Sequence, residues 1–116
     1  ALMQRCAAHA ASQTDVDESF LAGQKAVEFA IAGITDKMVG FKCSRENGYK
    51  CEIELLNLTD VANTEKKIPR EWINEAGNGL TQDYIDYALP LIAGEAHPKF
   101  EHGVPRFAKL KKVIAK

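Results

Sequence analysis

At 116 residues, with 46% hydrophobic and 27% charged residues, the chain has the make-up of one ordinary folded domain or a large piece of one. Lys and Arg number 15 against 16 Asp and Glu, and the net charge of -1 excludes the basic footprint of a nucleic-acid or anionic-membrane binder. No apolar run approaches the roughly 18 residues that span a bilayer, and the opening Ala1-Leu2-Met3-Gln4-Arg5 lacks the layout of a signal peptide, so the expected compartment is the cytoplasm.

Arg5 stands beside the small residues Cys6-Ala7-Ala8 and ahead of a strong helical pattern. A guanidinium there can present a planar fork to a phosphate with little crowding from its neighbours. By residue chemistry alone it reads as a surface arginine. Cys6 and His9 have the spacing of one helical face, but two ligands fall short of the three or four that hold zinc. Cys6, Cys43 and Cys51 form no CxxC pair and leave an odd thiol, which argues against a secreted disulfide framework.

The strongest element follows. Thr14 is the expected N-cap, with Asp15, Asp17 and Glu18 placing negative charge at the positive end of a helix. Val16, Phe20, Val27 and Ile31 fall on one stripe, Gly23 and Ala30 lie near it, and Gly33 supplies the stop. That stripe is the expected contact with a neighbouring sheet.

A hairpin comes next, from the alternation of Val39, Phe41 and Cys43 and of Tyr49, Cys51, Ile53 and Leu55. A two-residue Asn47-Gly48 turn would set Phe41 against Glu54. A three-residue loop with Gly48 left-handed sets Phe41 against Ile53, Val39 against Leu55 and Cys43 against Cys51. The second register keeps the apolar face together and is the expected one.

Past Leu56 the pattern is less regular. Asp60-Val61-Ala62-Asn63 reads as a helical turn, Pro69 as another start, and Gly77-Asn78-Gly79 as a breaker. A last ordinary helix is expected to open at Thr81 as its cap and to bury Tyr84, Ile85, Ala88 and Leu89, with Pro90 ending or kinking it. Phe107, Leu110 and Ile114 among Lys109, Lys111, Lys112 and Lys116 predict a terminal helix docked along an apolar edge. No GxxxxGK[ST] or GxGxxG loop is present, and His9, His97 and His102 have no nucleophile in an activating frame.

The order of these segments resembles a known family. Gln4-Arg5, Ala11-Ser12-Gln13-Thr14-Asp15, the helix from Phe20 to Ile31 closed by Ala32-Gly33, and Lys37-Met38-Val39 are similar to the carboxy-terminal part of phosphofructokinases. The later Val61-Ala62-Asn63, Lys67-Ile68-Pro69-Arg70-Glu71-Trp72-Ile73-Asn74, Gly77-Asn78 and the run from Tyr87 to Glu95 resemble a longer bacterial branch in which pyrophosphate-dependent members are common.

The resemblance implies an α/β fold, with residues 1–116 forming the carboxy-terminal part of the domain as a long helix, a β-hairpin and shorter helices. It implies phosphoryl transfer from pyrophosphate or ATP to the 1-hydroxyl of fructose 6-phosphate, with Mg²⁺ bound outside this region. Arg5 then becomes the residue that holds the sugar 6-phosphate. Relatives usually carry Tyr or His three positions earlier, where this chain has Leu2. The glycine-rich donor loop and catalytic aspartate of the family lie upstream. The implied partners are the remainder of the kinase chain and further copies of it, with neither nucleic acid nor membrane. The contrasting expectation is a free-standing interaction or regulatory module that reuses this part of the fold.

Overall fold

The long helix α2, Gln13–Ile31, organises the chain. In the computed structural model, which describes residues 2–5 and 7–114, it follows a single turn of helix, α1 (Leu2–Arg5), and a 3-10 turn at Ala8–Ala10. Its N-cap is Ser12, not Thr14: the Ser12 hydroxyl accepts from the Asp15 backbone N–H at 3.1 Å. The Thr14 hydroxyl instead donates to the Ala93 carbonyl at 3.1 Å. Both residue types cap well, and the choice between them rests on carbonyls that arrive nearly eighty residues later.

Strands β1 (Lys37–Ser44) and β2 (Lys50–Asn57) pair antiparallel with Val39 opposite Leu55, Phe41 opposite Ile53 and Cys43 opposite Cys51. This is the register expected from the apolar alternation. Gly48 takes a left-handed φ of 88°, the conformation that lets this loop close. Beyond the hairpin lie a short helix α3 (Leu58–Val61), a 3-10 turn at Arg70–Trp72, helix α4 (Gln82–Ala88) and a 3-10 turn at Leu89–Ile92. A minimal hairpin of β3 (Phe100–Glu101) and β4 (Val104–Pro105) follows. The elements are mixed helix and strand, with a long helix, a hairpin and short helices as expected.

Three further expectations need correction. The stripe Val16, Phe20, Val27 and Ile31 does not meet the hairpin; Phe20 is 74% and Ile31 83% exposed. Beyond Gln13 in the first turn, the half-buried positions of α2 are Thr14, Glu18, Leu21, Ala22, Lys25 and Phe29, on the other side of the helix. Second, the Thr81 hydroxyl makes no cap bond, and α4 half-buries Tyr84, Tyr87 and Ala88 while Ile85 and Leu89 stay exposed. Third, residues 106–114 form no helix. Phe107, Leu110 and Ile114 have no apolar surface to dock on here, and so short a helix is marginal without one.

The same deficit runs through the whole chain. Among the described residues none of the apolar side chains is fully buried. The accessible surface is 10335 Å² for 12.8 kDa, where a folded monomer of that mass exposes about 6,300 Å². The radius of gyration is 18.0 Å, against about 13 Å for a compact domain of this length.

Candidate functional site

Where the chain returns to the start of α2, residues Leu91–Gly94 lie across the first helical turn. The backbone N–H groups of Gln13 and Thr14 donate to the carbonyls of Gly94 (3.0 Å) and Ala93 (3.2 Å), and the Ser12 hydroxyl donates to Leu91 O at 2.7 Å. Gly94 has φ of 75°, and a Cβ there would sit 2.8 Å from Gln13 Cβ, so this crossing needs glycine on two counts. Helix N-termini are ready anion sites when their N–H groups are free. Here the first three donors of α2 are already used, by Gly94, Ala93 and Ser12. A groove of about 560 Å³ runs alongside, lined by His9–Ser12, Asp15, Leu91, Ile92 and Gly94–Ala96. Asp15 and Glu95 give its rim negative charge.

A second set of polar side chains ties the hairpin to its neighbours. The Tyr49 hydroxyl donates to Glu18 Oε1 at 2.6 Å and lies 3.5 Å from Cys43 Sγ, which in turn is 3.6 Å from Cys51 Sγ. Burial raises the Tyr49 phenol well above its ordinary value, and the contacts with Cys43 and Glu18 add to this. Burial, followed by the contact with Cys43, pushes the Cys51 thiol up to about 12. Arg45 crosses the other way: its guanidinium packs over the rings of Tyr49 (5.4 Å) and Tyr87 (5.0 Å) and donates to Tyr87 O at 2.9 Å. Tyr87 continues into an aromatic group with Trp72 at 5.1 Å and Tyr84 at 6.5 Å between ring centroids. These groups join α2, the hairpin and α4. They hold the scaffold and place no nucleophile beside a base.

The residues singled out from sequence are dispersed. Arg5 ends α1, and its side chain and that of Gln4 lie outside what is described, as does all of Cys6. Leu2 is an exposed aliphatic on the same helix. His9 borders the groove, whereas His97 lies in a loop and His102 in the β3–β4 turn with a left-handed φ of 52°. Arg45 was not singled out from sequence, and neither were the Glu18–Tyr49 bond and the Leu91–Gly94 crossing. The one available signal was Gly94 itself, a glycine shortly after a proline-broken helix.

No protein-family model matches the chain. It is 46% identical over 110 residues, 95% of its length, to the pyrophosphate–fructose 6-phosphate 1-phosphotransferase of Halomonas elongata. It is 38% identical over 108 residues to the protein of the same description from Methylococcus capsulatus. Each match spans 26% of the relative, so the chain covers about a quarter of the length of the curated relatives it matches. Among solved structures, the pyrophosphate-dependent phosphofructokinase of Marinobacter aquaeolei superposes with a TM-score of 0.87 at 45% identity, over 98% of this chain and 29% of that one.

Proposed function

The chain is homologous to about one quarter of the length of pyrophosphate-dependent phosphofructokinases, and from that premise we propose that residues 1–116 are the carboxy-terminal part of such an enzyme's catalytic domain. The parent protein moves a phosphoryl group from pyrophosphate, or from ATP, to fructose 6-phosphate in the cytoplasm, and works as a homo-oligomer. One observation carries the reading: 46% identity over 95% of the chain to an enzyme of that description. The open apolar stripe of α2 and the absence of a buried apolar core among the described residues agree with it. They fit a free-standing module poorly.

Within that enzyme the contribution of this segment is to bind. Arg5 holds the sugar 6-phosphate through charge-assisted N–H···O bonds, with its guanidinium fork matched to two phosphate oxygens. Such a contact exists before and during transfer, so it acts on substrate affinity more than on the chemical step. Mg²⁺ would neutralise charge on the donor phosphates. Among the described residues no three His, Cys, Asp or Glu side chains converge as a metal site. On the family resemblance the ion belongs to the remainder of the enzyme.

The test is steady-state kinetics of the full-length enzyme with either donor. Arg5→Ala should raise KM for fructose 6-phosphate about tenfold to hundredfold, the loss of a charge-assisted bond of roughly 1.5–3 kcal/mol. The donor KM should stay nearly constant. An unchanged sugar-phosphate KM in a folded variant would remove Arg5 from the site. A full-length protein active with neither donor would overturn the kinase reading itself.

A further inference from the structure

We propose that Cys43 and Cys51 form a reversible oxidative site, a dithiol that a peroxide converts to a cross-strand disulfide within the hairpin. The inference stands on the geometry of the hairpin and its immediate neighbours and holds whether or not the kinase reading does.

The two residues are direct partners across β1 and β2, and their sulfurs are 3.6 Å apart with nothing between them. Facing residues in an antiparallel pair have Cα atoms about 4.5 or 5.5 Å apart, and both values lie inside the window a disulfide accepts, roughly 4.4–6.8 Å. Closure to a bond of about 2.05 Å therefore needs rotation of the two side chains and no shift of the strands. Each sulfur also has its own approach for a small oxidant. Cys43 borders a groove of about 770 Å³ that Phe41 and Tyr87 also line, and Cys51 borders a separate groove of about 300 Å³ with Leu21 and Thr14. The Tyr49 hydroxyl beside Cys43 is anchored on Glu18 and keeps that anchor when the sulfurs join.

The chemistry balances in two steps. Cys43 sulfur attacks one oxygen of hydrogen peroxide, the O–O bond breaks, and the departing hydroxide takes the thiol proton as water. Cys43 is then a sulfenic acid. Cys51 sulfur attacks it, the S–O bond breaks, and the Cys51 proton leaves with that hydroxide as the second water. Two thiols are oxidised to one disulfide while one peroxide is reduced to two waters. Exchanging the roles of the two sulfurs leaves the balance and the product the same. In a reducing compartment the resting state is the dithiol, and a thiol reductant restores it.

The experiment uses the full-length protein, exposed to hydrogen peroxide, blocked with N-ethylmaleimide and digested with trypsin. Cleavage after Lys42, Arg45, Lys50 and Lys66 places the two cysteines in peptides 43–45 and 51–66. The expected result is a linked pair of these peptides, two hydrogens lighter than their sum, which dithiothreitol separates. Alkylatable thiols among the three cysteines of this segment should fall from 3 to 1. Both Cys43→Ser and Cys51→Ser should abolish the link, and either variant suffices if the other folds poorly. Separate recovery of the two peptides as alkylated thiols or as sulfinic acids overturns the proposal. So does a link in which Cys6 replaces either partner.

Discussion

A lysine at position 5 would keep the positive charge and lose the planar fork, so it separates charge from geometry at the proposed phosphate contact. In the full-length enzyme Arg5→Lys should give a KM for fructose 6-phosphate between those of the natural protein and Arg5→Ala, with kcat within about twofold of the natural value. A Lys variant as impaired as Ala would mean that the fork, not the charge, does the holding. The role proposed for Arg5 rests on resemblance alone, because its neighbours give it no local signature. Tyr49 and Arg45 were illegible for a different reason. Tyr49 finds Glu18 at a sequence separation of 31 and Arg45 finds Tyr87 O at 42. Nothing in the alternation of a strand announces such partners. Cys43 and Cys51 sit at the legible extreme, since the apolar alternation that fixed the register also fixed their pairing.

At the level of elements, α2 and the hairpin were readable because each contains its own periodicity and its own stop. The side of α2 that the hairpin occupies was not. The helix carries two usable faces, and the more apolar one, with Phe20, Val27 and Ile31, is the face left open. A helix with a second partner buries both sides, and a one-stripe pattern cannot say which partner comes from where. The terminal segment failed similarly: its 3.6-residue spacing is real, but spacing forms a helix only against a surface. The crossing of Leu91–Gly94 over α2 gives a direct test of element docking. Gly94→Ala sets a Cβ against Gln13 and strains a φ of 75°, at a cost of about 1–3 kcal/mol. The expected outcome in the full-length protein is faster hydrogen exchange at the Gln13 and Thr14 amides by about tenfold or more, with the centre of α2 unaffected. Unchanged exchange at those two amides would show that the crossing does not need glycine.

For the molecule as a whole, an accessible surface of 10335 Å² with no fully buried apolar side chain among the described residues leaves little to offset the entropy of ordering 116 residues. The 116-residue chain on its own should therefore melt without a cooperative transition, bind the dye ANS, and form no fructose 1,6-bisphosphate with either donor. A sharp calorimetric transition would show that these elements suffice to make a domain. Composition alone gave no warning of this, since 46% hydrophobic residues can supply a core. Whether they do so depends on where each apolar face points, and that is a property of the three-dimensional arrangement.

The bonds from α2 to Leu91–Gly94 also constrain the order in which the chain acquires its structure. Closing a loop of about eighty residues costs roughly 4 kcal/mol on the logarithmic scaling of chain entropy. The four hydrogen bonds at the crossing (Ser12 to Leu91, Gln13 to Gly94, and two from Thr14 to Ala93) return about 1 kcal/mol each. The two quantities nearly cancel, so the crossing has no driving force of its own until the hairpin and α4 have shortened the loop. Helix α2 should then nucleate locally while its first turn remains frayed, and that turn should be sealed last. Pulse-labelled exchange during refolding of the full-length protein should find Gln13 and Thr14 protected after the amides of β2; simultaneous protection would refute this sequence of events.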